Sequence, residues 1–531
     1  MAKLRCLRQL LPIQGLLLGW GGALAALGGI LMGLAPAPLG LWPLAWLALV
    51  PLWRLLADPK TTYGQALQYG GIWGTAYNGL TLAWITHLHP LTWMGVPWLG
   101  SLGIALFAWG AVTLWGAMLV MTWSLAMVWG YRHCPTLTRL LLGVGLWCLL
   151  ESLWAASPLT WTSLSFTQSP GNLWILHLGR LSGQFTITAV IVAVNGCLAE
   201  FWQPSSHRRP LVLATLGLLI GSHVLGWSLY RQPLADLADN AVDVGIIQGN
   251  VPTRIKLTPA GVRQALRRYA AGYRTLVAAG ADAVLTPEGA LPFTWGTDFS
   301  QRTDLYQAVQ ALKVPLWLGA FGPVSDNSLA QSLLTITGDG QVMGRYDKVK
   351  LVPLGEYIPL QPLLGQLINR LSPLENYLVP GSPDQRFETP FGPAIVGICY
   401  ESVYGSLFRH QAAQGGRFIL TASNNDPYPP GMMVQHHGQD LMRAIETDRW
   451  AARATNTGLS GVVDPHGHTL WLSQPNTYTT HRHTIYQRQT RTLYVRWGNW
   501  LTPGLIGLGG ISLIWRRRVP SASAPERNPT S

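Results

Sequence analysis

Three short stretches in the second half of the chain bring together residue types that do covalent chemistry. Leu285-Thr286-Pro287-Glu288 runs an apolar segment into a carboxylate. Arg345-Tyr346-Asp347-Lys348 ends on an ammonium and continues through Leu351-Val352-Pro353-Leu354-Gly355-Glu356, a Lys-x7-Glu spacing. Val396-Gly397-Ile398-Cys399-Tyr400-Glu401 ends an apolar run on a thiol. A carboxylate base, a cation and a thiol that converge at strand ends can support nucleophilic acyl transfer. Singly, each stretch has an ordinary reading: Pro-Glu as turn chemistry, Lys beside Tyr as a solvated edge, a lone Cys as a small buried hydrophobe. Of the five cysteines, Cys6, Cys134, Cys148 and Cys197 lie in or beside apolar runs, which leaves Cys399 alone in the polar half with no disulfide framework.

Other residues compete for attention. His436-His437 and His466-x-His468 have no Cys or carboxylate partner at a recognised metal spacing, so neither a metal nor an organic cofactor is expected. Glu151 sits inside an apolar run, where a carboxylate is costly; a functional role and a structural pairing with Trp or backbone groups both fit. His87 and His89 fall at the edge of an apolar run and read as ordinary interfacial residues.

The elements that must position these groups follow from composition. Only 11% of the 531 residues are charged, against about 25% in ordinary soluble proteins, while 48% are hydrophobic and 25 are Trp. Mean hydropathy is +0.21. These values exclude a disordered chain and argue against a soluble enzyme. The net charge of +13 does not point to nucleic acid, because many basic residues lie in short gaps between apolar runs instead of on one folded face.

A membrane span needs roughly 20 mainly apolar residues, and about eight such runs are present: 15–34, 39–56, 67–84, 98–121, 137–154, 184–201, 211–230 and 500–515. The fourth continues to Trp129, as one long tilted helix or a span plus an interfacial turn. Lys3, Arg5, Arg8, Arg54, Lys60, Arg132, Arg139, Arg208, Arg209 and Arg516 to Arg518 all fall on one side of this alternation. The opposite loops, 35–38, 87–97 and 155–183, contain only Arg180. Basic residues favour the cytoplasm, so both termini are expected inside and the segment 232–499 outside. The first apolar run exceeds the roughly 7 to 15 residues of a signal-peptide core, so it reads as a span despite the Ala35 and Ala37 cleavage context.

The expected organisation is a membrane domain over 1–231, a catalytic α/β domain over 232–499, a last span over 500–518 and a disordered Ser/Pro/Ala-rich tail over 519–531. Within the polar half, strands are expected at 242–248, 283–286, 316–319, 332–337, 394–398, 418–422 and 460–463. Helices are expected at 259–279, with Thr258 as N-cap, and at 433–447.

Glu288, Lys348-x7-Glu356 and Cys399, in this order, resemble the motif set of the nitrilase superfamily. Within it the chain resembles the membrane-embedded apolipoprotein N-acyltransferase family over nearly its whole length. The likeness includes Gln248-Gly249-Asn250, Arg443-Ala444-Ile445-Glu446, Arg453-Ala454-Thr455-Asn456-Thr457-Gly458 as a helix followed by a strand, Glu151, and the stretch 158–168. The resemblance implies a polytopic α-helical membrane protein carrying an inserted α/β nitrilase-like αββα sandwich. It also implies Glu288 as general base, Lys348 as cationic stabiliser and Cys399 as nucleophile, with Glu356, Tyr400 and Glu401 at supporting, substrate-binding positions. The implied reaction moves an acyl chain from a membrane phospholipid, through a Cys399 thioester, to the α-amino group of a diacylglyceryl-cysteine apolipoprotein in the bacterial cytoplasmic (inner) membrane. No cofactor and no nucleic acid are implied. Two positions depart from the family, Leu257 and Pro427, where it usually has Trp. The rival readings are a membrane-anchored nitrilase-type amidase with water as acceptor, and a transporter with an inactive outer domain.

Overall fold

The computed structural model describes residues 19–203, 208–325, 328–353, 355–357, 377–426 and 428–518. Pro427, the N-terminal basic cluster and the expected disordered tail lie outside the described residues.

The first half is helical: α1 (Trp20–Leu34), α2 (Val50–Leu56), α3 (Tyr63–Thr81), α4 (Trp98–His133), α5 (Thr136–Ala156), α6 (Gln184–Phe201) and α7 (Arg208–Tyr230). Four of these, α4 to α7, are long and apolar enough to cross a membrane; Trp20–Leu34, Trp42–Leu56 and Leu501–Trp515 are shorter apolar segments. The run 98–129 lies within a single helix, Trp98–His133, of 36 residues, about 54 Å at 1.5 Å per residue. The run 39–56 is instead broken into a 3-10 turn, Trp42–Trp46, and α2, each with a proline at its start. α3 begins four residues ahead of the apolar run because Thr62 and Gln65 close a capping box. α1 crosses α3 at close range: a Cβ on Gly29 would sit 2.3 Å from the Trp73 carbonyl oxygen.

The second half folds into two facing sheets. The first has the order β12 (Thr479–Tyr486), β1 (Ala241–Gln248), β2 (Ala283–Leu285), β3 (Leu316–Ser325), β4 (Ser328–Ile336), β5 (Val342–Asp347), with β6 (Tyr377–Leu378) paired to β4. β1, β2 and β3 are parallel, and the remaining pairs, save β4 with β6, are antiparallel. The second sheet has the order β11 (Thr469–Leu472), β10 (Gly461–Val463), β9 (Ala451–Thr455), β8 (Ile419–Ser423), β7 (Ile395–Ile398), with β7, β8 and β9 parallel. Between them lies a core that includes Val244, Ile246, Leu285 and Trp317 from one sheet and Val396, Ile398, Leu420 and Val462 from the other.

α8 (Pro259–Ala278) and α9 (Asp304–Leu312) cover the first sheet through Tyr269, Leu276, Leu305 and Val309. α8 starts as expected, with the Thr258 side chain accepting from Gly261 N. α10 (Gly405–Ala413) and α11 (Pro430–Thr447) cover the second sheet. Their Phe408, Leu441 and Ile445 share one buried cluster with Leu176 and Ile187 of the first half, so the αββα sandwich rests on the apolar helices through this outer layer. The last helix, α12 (Leu501–Arg518), returns to pack against α5.

The seven expected strands are all present with shifted ends. β5, β6, β11 and β12 lay outside them, and β9 appeared only through the family likeness at 453–458. β9 reads Ala-Ala-Arg-Ala-Thr and β12 Thr-Thr-His-Arg-His-Thr-Ile-Tyr, which carry little β-branched apolar signal. β9 is made a strand by two neighbours and full burial, and β12 by pairing along the whole of β1.

Candidate active site

Each chemical stretch leaves the end of a strand. After β2, the Thr286 hydroxyl accepts from Gly319 N at 3.0 Å and donates to Trp317 O at 3.2 Å, which holds the Pro287-Glu288 turn against β3. Only glycine fits at 319, since a Cβ there would lie 1.9 Å from the Pro287 carbonyl oxygen. After β5, Lys348 N donates to Gln331 O at 2.8 Å. After β7, Cys399 opens a 3-10 turn, Cys399–Val403, with φ at +53°, a left-handed conformation that is strained for a non-glycine residue.

These turns bring the side chains together. Lys348 Nζ donates to Glu288 Oε1 at 2.8 Å and to Glu356 Oε1 at 2.6 Å, with the lysine side chain only 1% exposed. An ammonium has three N–H donors, so one remains. Glu356 Oε2 accepts from Val352 N at 2.8 Å, which closes its own loop around the lysine. Glu288 Oε2 accepts from Asn424 N at 3.0 Å, while the Cys399 thiol lies 3.7 Å from Asn424 O. The main chain just past β8 therefore touches the Glu288 carboxylate and the Cys399 thiol with the two ends of one residue.

Protonation follows from this packing. Burial alone would depress Lys348, but Glu288 and Glu356 outweigh it and hold the ammonium charged well above its usual range. Burial, reinforced by the Glu288 charge and only partly offset by Lys348, pushes the Cys399 thiol up to about 12. The thiol is thus protonated at neutral pH, and forming a thiolate there takes a base. Burial also raises Glu356, against the pull of Lys348.

The other residues expected at the site lie around this group. Glu401 is fully buried and takes N–H groups from both active strand ends: Ile398 N at 2.8 Å, Val349 N at 2.6 Å and Lys350 N at 3.1 Å, with Tyr346 OH at 3.2 Å. Burial pushes Glu401 up to about 7 while these N–H groups and Lys348 pull it down. Among the described residues four donors and no acceptor face it, so the anion is the form that the site holds. Its carboxylate joins the turn carrying Lys348 to the turn carrying Cys399. Tyr400 points the other way, and its hydroxyl meets Pro158 O at 3.0 Å and Thr160 O at 2.6 Å in the loop after α5.

Several further groups near the site were not marked as site residues by the sequence. His436 on α11 is buried; its Nδ1 faces the donors Arg453 Nη2 at 2.9 Å and Asn425 Nδ2 at 3.0 Å, so Nε2 bears the proton and donates to Cys399 O at 2.7 Å. Arg453 is paired in turn with Asp440. Burial, with Arg453, pushes His436 down to about 3. Lys256 Nζ donates to Glu288 O at 3.0 Å, and Leu257 beside it is 45% exposed. Towards the helices, Tyr428 meets Trp84 edge-on at 5.1 Å, Trp84 meets Trp161 at 5.0 Å, and Trp161 lies parallel to Tyr400 at 6.2 Å. This aromatic wall is built from both halves of the chain.

Comparison with known proteins accounts for both halves. The family model described as apolipoprotein N-acyltransferase N-terminal domain matches residues 28–197, and the one described as carbon-nitrogen hydrolase matches 244–490. A protein of Nostoc sp. (strain PCC 7120) named apolipoprotein N-acyltransferase is 51% identical over 91% of this chain and 98% of its own. The chain belongs to the apolipoprotein N-acyltransferase family. Its Synechocystis sp. (strain PCC 6803) relative of the same name is 45% identical over 92% of this chain and 99% of its own. The carbon-nitrogen hydrolase match starts in β1 and ends just past β12, so it coincides with the two-sheet sandwich. Among solved structures, an amidase of the nitrilase superfamily from Nesterenkonia AN1 aligns with 49% of this chain and 95% of its own at 17% identity and a TM-score of 0.36.

Proposed function

We propose that this chain transfers an acyl group from a membrane phospholipid to the α-amino group of a diacylglyceryl-cysteine apolipoprotein, with Cys399 as the nucleophile. The observation that carries this reading is the buried Glu288–Lys348–Glu356 cluster joined to Cys399 through Asn424, beneath an aromatic wall that the apolar helices help to build. The match of a family model to the helical half itself favours acyl transfer over an anchored amidase or a transporter.

In the first half-reaction the thiol attacks the phospholipid ester carbonyl as Glu288 takes its proton, and the remaining N–H of Lys348 stabilises the oxyanion. Collapse breaks the ester C–O bond, Glu288 returns the proton to the leaving alkoxide, and lysophospholipid departs. In the second, the lipoprotein amine attacks the thioester, Glu288 accepts an amine proton, and the Cys399 sulfur leaves and is reprotonated. Glu356 keeps Lys348 charged and placed, Glu401 fixes the two turns, and Tyr400 docks the thiol turn on the loop after α5. Holding the site against apolar helices confines it to the interface where both lipid-anchored substrates lie.

The same reading takes about eight spans, with 1–231 as the membrane domain, 232–499 as an extracytoplasmic catalytic domain and 500–518 as the last span, in the bacterial cytoplasmic membrane with both termini inside. No cofactor takes part. Incubation with acyl-labelled phospholipid should leave a hydroxylamine-sensitive acyl adduct on the Cys399 peptide, read by mass spectrometry and discharged by a diacylglyceryl-cysteine peptide. Absence of the adduct, or its discharge to free fatty acid regardless of peptide, would overturn the proposal. An impermeant protease added to spheroplasts should cut within 232–499, and full protection would reverse the orientation.

A further inference from the structure

Away from the active site, imidazoles from both halves of the chain meet where the end of α7 touches the second sheet. β10 and β11 are joined by Asp464-Pro465-His466-Gly467-His468. Asp464 is buried; its Oδ1 accepts from His466 N at 2.9 Å and His468 N at 2.8 Å, and its Oδ2 accepts from His468 Nδ1 at 2.8 Å. Tyr230, the last residue of α7, places its hydroxyl 2.8 Å from His468 Nε2. His177, fully buried in the loop between α5 and α6, faces the same group: its ring lies 5.9 Å from that of His466 and 5.3 Å from that of Tyr230.

The hydrogen bonds fix where the lone pairs lie. His177 Nδ1 meets the carbonyl oxygen of Leu173 at 2.8 Å, so it carries the proton and leaves the lone pair on Nε2. That nitrogen is buried and has no hydrogen-bond partner among the described residues, an arrangement that costs free energy unless a ligand takes the lone pair. His466 Nε2 meets Gln232 O at 2.9 Å, which leaves the lone pair of His466 on Nδ1. One ligand atom each from Asp464, His466 and His468 lie within 4.8 Å of one another. Two imidazoles on one tetrahedral ion, at about 2.0 Å per bond, have ring centres about 5 Å apart. The rings of His466 and His468 are 6.0 Å apart and those of His177 and His466 5.9 Å, so a shift of about an ångström would close them on one ion.

We propose that His177, His466, His468 and Asp464 form a binding site for a divalent transition-metal ion of the zinc type, which staples the β10–β11 hairpin to the helical half. Imidazole nitrogens with a single carboxylate suit zinc and its neighbours better than calcium or magnesium, which take oxygen ligands. An ion bound at His468 Nδ1 takes the place of the proton now shared with Asp464, and that proton moves to Nε2, where the Tyr230 oxygen accepts it. The spacing of His466 and His468 along the chain did not mark a metal site; His177, nearly 300 residues away, makes the difference.

The test uses untagged full-length protein in detergent, stripped with a chelator and titrated with Zn²⁺ alone, then with Co²⁺. About one equivalent of Zn²⁺ should bind, and Co²⁺ should give the intense visible absorption of a tetrahedral site. His466→Ala and His177→Ala should each weaken binding at least tenfold and abolish that absorption, while His410→Ala, on α10 at the opposite edge of the second sheet, should not. Retained acyl transfer by His466→Ala would show that its loss of binding is not unfolding; if that variant does not fold, the conservative His466→Asn takes its place. Zinc binding below a tenth of an equivalent in the unaltered protein, or undiminished in both His177→Ala and His466→Ala, would overturn the proposal.

Discussion

Each half of the molecule buries a carboxylate, and the two are satisfied in opposite ways. Glu288 in the sandwich is 7% exposed and faces a cation, Lys348, and a single main-chain N–H. Glu151 in α5 is 4% exposed and, among the described residues, faces only neutral donors: Ser163 Oγ at 2.6 Å, Thr188 Oγ1 at 2.8 Å, Trp147 Nε1 at 3.3 Å and Leu164 N at 3.3 Å. A carboxylate beside an ammonium and a thiol can pass a proton within a prearranged group. One ringed by hydroxyls and N–H groups has all its acceptor sites filled and works as an anchor. What Glu151 anchors is the loop 157–168, whose Pro158 and Thr160 carbonyls receive the hydroxyl of Tyr400, the residue after Cys399. Burial alone therefore does not mark a catalytic acid; the character of its partners does.

The contrast breaks or sharpens on substitution. Glu288→Gln keeps size and an acceptor oxygen but cannot take the thiol proton, so Cys399 acylation should fall by about 10²- to 10⁴-fold with phospholipid binding retained. Stopped-time labelling of the thioester measures this, and acylation at the normal rate with failure only at the amine would confine Glu288 to the second half-reaction. Lys348→Met removes the charge but keeps most of the stem, and should slow acylation by roughly 10²- to 10³-fold. An unchanged thioester rate there would leave the oxyanion to other donors.

Glu151→Gln presents an amide N–H₂ to groups that are themselves donors. It should cost about 1 to 3 kcal/mol of stability, read as a lower unfolding temperature in detergent, with acylation changed less than tenfold. A loss of rate as large as that of Glu288→Gln with unaltered unfolding would erase the distinction between the two carboxylates.

The smallest effect concerns His436, which is held neutral by burial and pushed down to about 3. An unfolded histidine titrates near 6.5, so between these values the unfolded chain binds more protons and stability falls as pH is lowered. From pH 6.5 to 5 this amounts to about 2 kcal/mol at roughly 1.4 kcal/mol per pH unit. Buried His437, pushed down to about 4, adds to the same slope. Unfolding of the parent and of His436→Gln at pH 7.5 and 5 should show a shallower pH dependence in the variant; equal slopes would mean that His436 does not titrate on unfolding.

The helical half was readable because hydrocarbon thickness sets a length and apolar composition marks it, which is why α4 to α7 fall where the runs predict. The break in 39–56 shows the limit, since prolines rather than hydropathy decide whether an apolar run is one helix. In the sandwich, β1, β7 and β8 announce themselves as apolar runs, whereas β9 and β12 are strands because of their neighbours.

The same division holds at the site. Glu288, Lys348, Glu356 and Cys399 were singled out by residue type at predicted strand ends and by the family resemblance, and the structure brings them into one cluster. That Lys348 lies between the two carboxylates, that Asn424 links the Glu288 carboxylate to the Cys399 thiol by main-chain atoms, that Glu401 joins the two turns and that Tyr400 docks on the loop after α5 were decided only by tertiary structure. Periodicity states which face of an element is buried but not what it is buried against. A main-chain N–H or carbonyl has no residue identity to read, and contacts such as Tyr400 with Thr160 or His177 with His466 join segments hundreds of residues apart, where no local pattern carries the information.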